Sequence, residues 1–348
     1  MKNKFFVIVA TVFCTLFLWI LYLNFFESNR VDYHFFNRNF SNNTVLVFDK
    51  LTDKISNFDF IDNIPSNDSI IELEKKVFNA DTIECKLYFT DLDFKRKIIR
   101  NTRIPKNCNI LFYKKDRVYF TKEFNFFSCN ICNNKIEKYP LTNLKIANVK
   151  FLNNSKEEML VFGELKEGNK FLTGFFKVSL LNLTIQPIKI LETNNKNQYL
   201  ANTLKYVGEF TYSPSDTILS YACDKYSRIY FFDKTGNYIK ELITSENVPL
   251  PTISTNEKGD SFYSRGGTWN TNMVSFMKNG FVYVFSAREI DKLNLILDKY
   301  SFTDLKYIET YKIKCDSYNS RDITNLFINE NGIVLSFTQN YASFKFSR

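Results

Sequence analysis

The sequence predicts a mainly β chain of repeated sheets behind one membrane-crossing helix, and three observations predict it. The stretch FFVIVATVFCTLFLWILYLNFF, from Phe5 to Phe26, carries no charged side chain. Short runs of Tyr, Phe, Ile and Val recur between polar turns over the remainder of the 348 residues. Several of these runs come in pairs, as strand, polar reversal and strand. Hydrophobic residues make up 45% and charged residues 24%, a balance that supports a sizeable core and excludes disorder over most of the length.

The N-terminal run comes first. About 20 apolar residues cross the hydrocarbon core of a bilayer, and this run is longer than the secretory h-region of about 7–15 residues. Asn24, Phe25, Phe26 and Glu27 make a poor cleavage sequence, so a retained signal-anchor is expected. Bulky Phe13 before Cys14 argues against lipoprotein processing. Lys2 and Lys4 favour a short cytoplasmic tip, which places the C-terminal domain of a single-pass protein outside the cytoplasm. The expected organisation is therefore a tip and anchor over 1–26, a juxtamembrane segment with the first strands over 27–80, and a β-domain over 81–348.

Within the β-domain, Val45 to Phe48, Asn109 to Tyr113, Arg117 to Thr121, Phe171 to Val178, Ile229 to Phe232 and Phe281 to Phe285 read as strands. SNDSIIELEKKVFN sets Ser69 and Glu72 at capping-box spacing, which leaves a short helix and an irregular strand as equal readings there. FFKVSLLNLTIQPIKI from Phe175, IYFFDKTGNYIKELI from Ile229 and LDKYSFTDLKYIETYKI from Leu297 read as the outer hairpins of a repeated sheet. VLVFDKLTDKISNF, beginning at Val45, reads as another copy, and GIVLSFTQNYASFKF from Gly332 as paired strands that bring the two ends together in a circle. A β-propeller fits this pattern, because blades closed around an axis protect sheet edges; a β-sandwich is the alternative.

In IYFFDKTGNYIKE, Ile229, Tyr230 and Phe232 suit a strand, Asp233 to Asn237 its reversal, and Tyr238 and Ile239 the return. At these hairpins the chain resembles bacterial exported six-bladed propeller-like proteins of the broad NHL or TolB-like kind. The resemblance implies the architecture and transfers no catalytic residue. The N-terminal half departs from it in having no Gly before Gly163, so Asn-rich turns are expected to supply the left-handed conformations.

Net charge +9 biases contact towards anionic surfaces but defines no nucleic-acid site. No cofactor is implied, and His34, the only histidine, excludes a multi-histidine metal site. Acidic pairs such as Asp91 with Asp93 and Glu157 with Glu158 read as solvated turns. Cys129 and Cys132, in FSCNIC, read as a structural disulfide or buried thiols, with a redox pair or metal binding as the further readings; Asn133 stands where a c-type haem motif requires His. The loop GDSFYSRGGTWNTN is the candidate ligand or partner site. There Arg265 offers a bidentate donor, Gly266 and Gly267 allow close backbone approach, Trp269 supplies a flat apolar surface, and Tyr263 is a secondary candidate. The sequence thus points to a membrane-anchored extracytoplasmic binding or protein-interaction module. Its expected partners are membrane lipid, through the N-terminal helix, and a protein or small molecule. An exported enzyme or thiol-redox component is the first alternative, and a carbohydrate- or peptidoglycan-binding domain using exposed aromatic residues is the second.

Overall fold

The computed structural model describes residues 36–347, together with Thr15 and Trp19, apart from 54–57, 65–68, 78, 80, 92–95, 115, 153–156, 265–267, 288–293 and 316–317. The apolar run from Phe5 to Phe26 therefore lies, Thr15 and Trp19 aside, outside the described residues, as do Cys14 and His34. Among the described residues no helix is long and apolar enough to cross a membrane.

Alternating apolar and polar residues put one face of each strand against a neighbouring sheet. The chain repeats this as four-stranded antiparallel blades. β1 (Leu46–Asp53) precedes blade 1, which is β2 (Phe58–Ile64), β3 (Ser69–Val77), β4 (Thr82–Asp91) and β5 (Arg96–Pro105). Blade 2 is β6 (Asn109–Lys114), β7 (Arg117–Lys122), β8 (Asn125–Asn130) and β9 (Ile136–Tyr139). Blade 3 is β10 (Leu144–Phe151), β11 (Glu158–Glu167), β12 (Lys170–Ser179) and β13 (Thr184–Asn194). A short helix, α1 (Tyr199–Lys205), leads into blade 4: β14 (Gly208–Ser213), β15 (Ile218–Cys223), β16 (Arg228–Asp233) and β17 (Tyr238–Ile243). A small hairpin, β18 (Ile253–Thr255) with β19 (Ser261–Tyr263), separates it from blade 5, made of β20 (Asn272–Lys278), β21 (Phe281–Ser286), β22 (Asn294–Ser301) and β23 (Tyr307–Lys314). Blade 6 takes β24 (Ile323–Ile328), β25 (Gly332–Phe337) and β26 (Asn340–Phe346), and β1 completes it as the fourth strand.

The first strands of successive blades lie against one another around an axis, β2 by β6, β6 by β10, β10 by β14, β14 by β20 and β20 by β24. The fold is a six-bladed propeller, and the sandwich alternative is excluded. β1 closes the ring, pairing antiparallel with β26 from Leu46 opposite Phe346 to Asp53 opposite Asn340. Lys345 Nζ donates to Asp49 Oδ1 (2.7 Å) and Asn340 Nδ2 to Asp53 Oδ1 (2.6 Å) across this seam.

The abundant aromatics fill the space between blades. Phe175 of blade 3 packs 5.1 Å from the Tyr221 ring and 4.9 Å from the Phe232 ring of blade 4. Phe231, from blade 4, and Met277, Val284 and Tyr300, from blade 5, share the next interface. Each such ring is worth roughly 1.5–3 kcal/mol when fully buried.

The hairpins read at Phe175, Ile229 and Leu297 are the outer pairs of blades 3, 4 and 5, and the circle closes as the terminal segments indicate. Before the first glycine, Asn107 (φ 60) and Asn134 (φ 56) take the left-handed conformation, but so do Asp116, Glu123, Phe124 and Glu157, so Asn supplies only part of these turns. One open reading is resolved and one is corrected. Ser69–Val77 is a strand, paired with β2 on one side and β4 on the other, so two ladders of hydrogen bonds override the capping-box spacing. VLVFDKLTD is a single strand and not a hairpin, because its partner is supplied by the C-terminus. Segment 27–80 accordingly contributes β1, β2 and β3 to the ring.

Candidate functional site

Four of the six innermost strands, β6, β10, β14 and β24, line an axial cavity of about 230 Å³, walled by Asn109–Leu111, Ala147–Lys150, Glu209–Tyr212 and Asn325–Phe327. Alternation sorts their side chains. Val149, Phe210 and Leu326 are buried in the packing between blades, while Asn148, Lys150, Glu209 and Asn325 keep surface on the cavity side. A bulge interrupts the pairing of five innermost strands, next to Ile61, Leu111, Ala147, Met273 and Thr324. Bulges re-aim the residue that follows. In blades 3 and 6 that residue is an asparagine whose Oδ1 accepts the next backbone N–H, at 2.7 Å from Val149 N and 2.7 Å from Leu326 N.

Asn148 then spends its Nδ2 on blade 4, donating to Gly208 O (2.8 Å) and Glu209 Oε2 (3.2 Å). The approach is close on both sides of Gly208, since a Cβ there would stand 2.1 Å from Ala222 O. The surface that Glu209 retains lies on the cavity wall. Burial pushes this carboxyl up to about 7, against the opposing pull of the Asn148 hydrogen bond and the Lys150 charge.

Gly208 opens β14 at the end of the ring where the blade-to-blade connections and the turns between second and third strands gather. Asp224 lies there, in the turn from β15 to β16. Burial, followed by the charge of Glu209, pushes the Asp224 carboxyl up to about 8. The turn is held by Asp224 N to Val207 O (2.8 Å), Thr271 N to Asp224 O (2.7 Å), and Asn272 Nδ2 to Cys223 O (3.2 Å) and Tyr226 O (3.1 Å). Lys225 donates to Asn270 Oδ1 and lies 5.8 Å from the Tyr263 ring centre. Tyr263 in turn donates to Leu204 O of α1 (2.9 Å).

The sequence-selected loop therefore reaches this end of the ring. Tyr263 and Trp269 are half-buried beside it, and Arg265, Gly266 and Gly267 lie outside the described residues. The connection that carries them, residues 244–271, is rooted in a buried charge cluster. Arg38 Nε and Nη2 each donate to a carboxylate oxygen of Asp298 (3.0 Å both), and Nη2 also meets Glu246 and Ser286 Oγ. Thr271 Oγ1 donates to the other Glu246 oxygen (2.9 Å). The three charged side chains are 3%, 5% and 2% exposed, for Arg38, Glu246 and Asp298. Burial works against the Arg38 charge, but the two carboxylates outweigh it and raise its pKa. Arg38 belongs to a strand-like strap that runs parallel to β23, with Phe40 bridged to Thr310.

The cysteines of FSCNIC sit elsewhere, at the opposite end of blade 2. Cys129 and Cys132 are separate thiols in this structure, the first buried and the second exposed in the turn after β8. Burial pushes the Cys129 thiol up, and Thr102 Oγ1 lies 3.4 Å from its sulfur. A raised thiol is a poor nucleophile near neutral pH. Cys132 is expected to react with iodoacetamide in the native protein and Cys129 only after unfolding, as peptide mass mapping will read; recovery of a Cys129–Cys132 disulfide would contradict this arrangement. Among the described residues no cluster of three or more His, Cys, Asp or Glu could hold a metal ion.

Glu209, Asp224 and Arg38 escape a linear reading because each works through residues of other blades. One signal was present: Ile146-Ala147-Asn148-Val149 and Ile323-Thr324-Asn325-Leu326 repeat one pattern at the start of two inner strands.

Neither a protein-family model nor a curated protein matches the sequence. Solved structures do resemble the fold. A member of the DUF4221 family from Bacteroides vulgatus has 10% identity and a TM-score of 0.48, over 87% of this chain and 98% of that one. A protein of unknown function from Bacteroides thetaiotaomicron has 11% identity and a TM-score of 0.41, over 86% and 73%. Virginiamycin B lyase from Staphylococcus aureus has 10% identity and a TM-score of 0.38, over 86% and 100%. At these values the likenesses carry no functional argument for this chain, whose six blades rest on its own strand pairing.

Proposed function

We propose that this protein is a membrane-anchored, extracytoplasmic binding module that engages a protein or small molecule at the loop-rich end of its ring. The observation that carries the reading is convergence: Asp224, Lys225, Tyr263 and Trp269 from separate segments gather at one end, above the cavity that Glu209 lines. Aromatic and charged side chains held by such fixed loops are effective binding anchors. The anchor reading rests on the uncharged run from Phe5 to Phe26. Nine residues separate Phe26 from Phe36, so an anchored ring would stand within about 30 Å of the bilayer at roughly 3.3–3.6 Å per residue.

The test is crosslinking of the full-length protein at its native membrane, followed by identification of what is captured. Arg265→Ala and Trp269→Ala are expected to reduce capture of the wild-type partner while thermal melting stays near the wild type. Unchanged capture by both variants would remove this loop as the anchor. Full-length protein is expected in the membrane fraction with an externally digestible C-terminal domain, and a soluble species with a processed N-terminus would reject stable anchoring.

A further inference from the structure

We propose that the axial cavity is a binding site for a neutral, polyhydroxylated small molecule of monosaccharide size, held between Glu209 and Asn325. This deepens the binding-module reading and rests on it, but it concerns the cavity and not the surrounding loops.

The size argument comes first. At about 230 Å³ the cavity falls below the roughly 300–1,000 Å³ of pockets that take drug-sized ligands, so its occupant is compact. The chemistry of the wall then narrows the class. Asn148 donates to Glu209 Oε2, and no other hydrogen bond to the Glu209 carboxyl is made among the described residues. The second carboxyl oxygen remains an acceptor for a ligand hydroxyl. Asn325 uses its Oδ1 on Leu326 N, and its Nδ2 makes no hydrogen bond among the described residues. Donor and acceptor thus come from blades 4 and 6, whose innermost strands approach each other at the cavity.

Charge decides between a neutral and an ionic ligand. Lys150 acts electrostatically on Glu209 from the same wall, so the lining sets a cation beside a carboxyl that burial keeps partly protonated near neutral pH. A ligand with a full charge would meet one of them unfavourably. A neutral polyol, whose hydroxyls both donate and accept, satisfies the amide and the carboxyl together.

The experiment uses full-length protein in a detergent without a sugar head group, with ligand-observed NMR titrations. The probes are glucose, galactose, mannose and myo-inositol as neutral compounds, and glucosamine and glucuronate as charged counterparts. Saturable binding of at least one neutral probe is expected, weakened at least tenfold by Glu209→Ala and by Asn325→Ala. Glu209→Gln keeps the shape of the side chain and is expected to retain more affinity than Glu209→Ala, which covers the case where the alanine variant fails to fold. Binding confined to a charged probe, binding of none, or neutral binding unaffected in folded variants would each overturn the proposal. Loss of the sugar site with Trp269-dependent crosslinking intact would sink this inference alone, whereas loss of that crosslinking would sink the loop reading.

Discussion

Arg38→Met is expected to destabilise the protein by about 3–5 kcal/mol, the usual cost of removing one partner from a buried ion cluster. The substitution keeps most of the side-chain volume, so the loss comes from charge. It would leave Glu246 and Asp298 facing each other, each almost wholly buried and without the guanidinium that both share. Thermal melting should show a drop on the order of 10 °C, taking roughly 2–4 °C per kcal/mol for a large domain. Adding Glu246→Gln and Asp298→Asn is expected to recover much of the loss, since neutral amides remove the uncompensated charge. A drop of under 1 kcal/mol for Arg38→Met would show that the cluster is solvated in solution. Hydrogen exchange should also rise across residues 244–271, because Glu246 binds Thr271 at the far end of that connection.

Glu209→Gln is expected to stabilise the protein as pH rises. The Glu209 pKa rises from its ordinary 4.5 to about 7 in the fold, with burial as the main cause. A carboxyl raised in this way favours folding fully below its unfolded value, and that contribution is lost as pH climbs through the folded value. At roughly 1.4 kcal/mol per pKa unit the loss amounts to at most about 3.5 kcal/mol, reduced by whatever water the cavity admits. Gln is neutral throughout, so the variant and wild type should melt alike near pH 4 and diverge in favour of the variant between pH 5 and pH 8. Asp224, whose pKa is raised partly by Glu209, is expected to titrate lower in the same variant. Parallel pH profiles for the two proteins would refute the assignment.

How much of this was legible in the sequence follows from how local each feature is. The outer hairpins were legible because alternation and turn chemistry sit within a few residues. In the Ile229 hairpin, Asp233 Oδ1 accepts from Thr235 N (2.8 Å) and Asn237 N (3.0 Å), and Gly236 takes φ 81. Ser69–Val77 was ambiguous because its strand state depends on β2 and β4. The loop with Tyr263 and Trp269 was recognised from its residue types. Its root was not, since Arg38 is 208 positions from Glu246 and 260 from Asp298. The cavity was hidden for the same reason: Asn148 and Glu209 are 61 positions apart and meet only where blade 3 packs on blade 4, while the cavity as a whole needs closure of the ring.

That closure also sets a timetable. Leu46 waits for Phe346, so the strand made early has no partner until 300 more residues have been made. At roughly 5–20 residues per second of synthesis, the wait lasts on the order of 15–60 s. Throughout that interval five blades can pair within themselves, because their strands are sequence neighbours, while the clasp remains a long-range contact that forms slowly. A chain cut before Asn340 would lose β26 and with it the partner of β1, leaving an open arc with the early strand exposed to chaperones, proteases and other copies of itself.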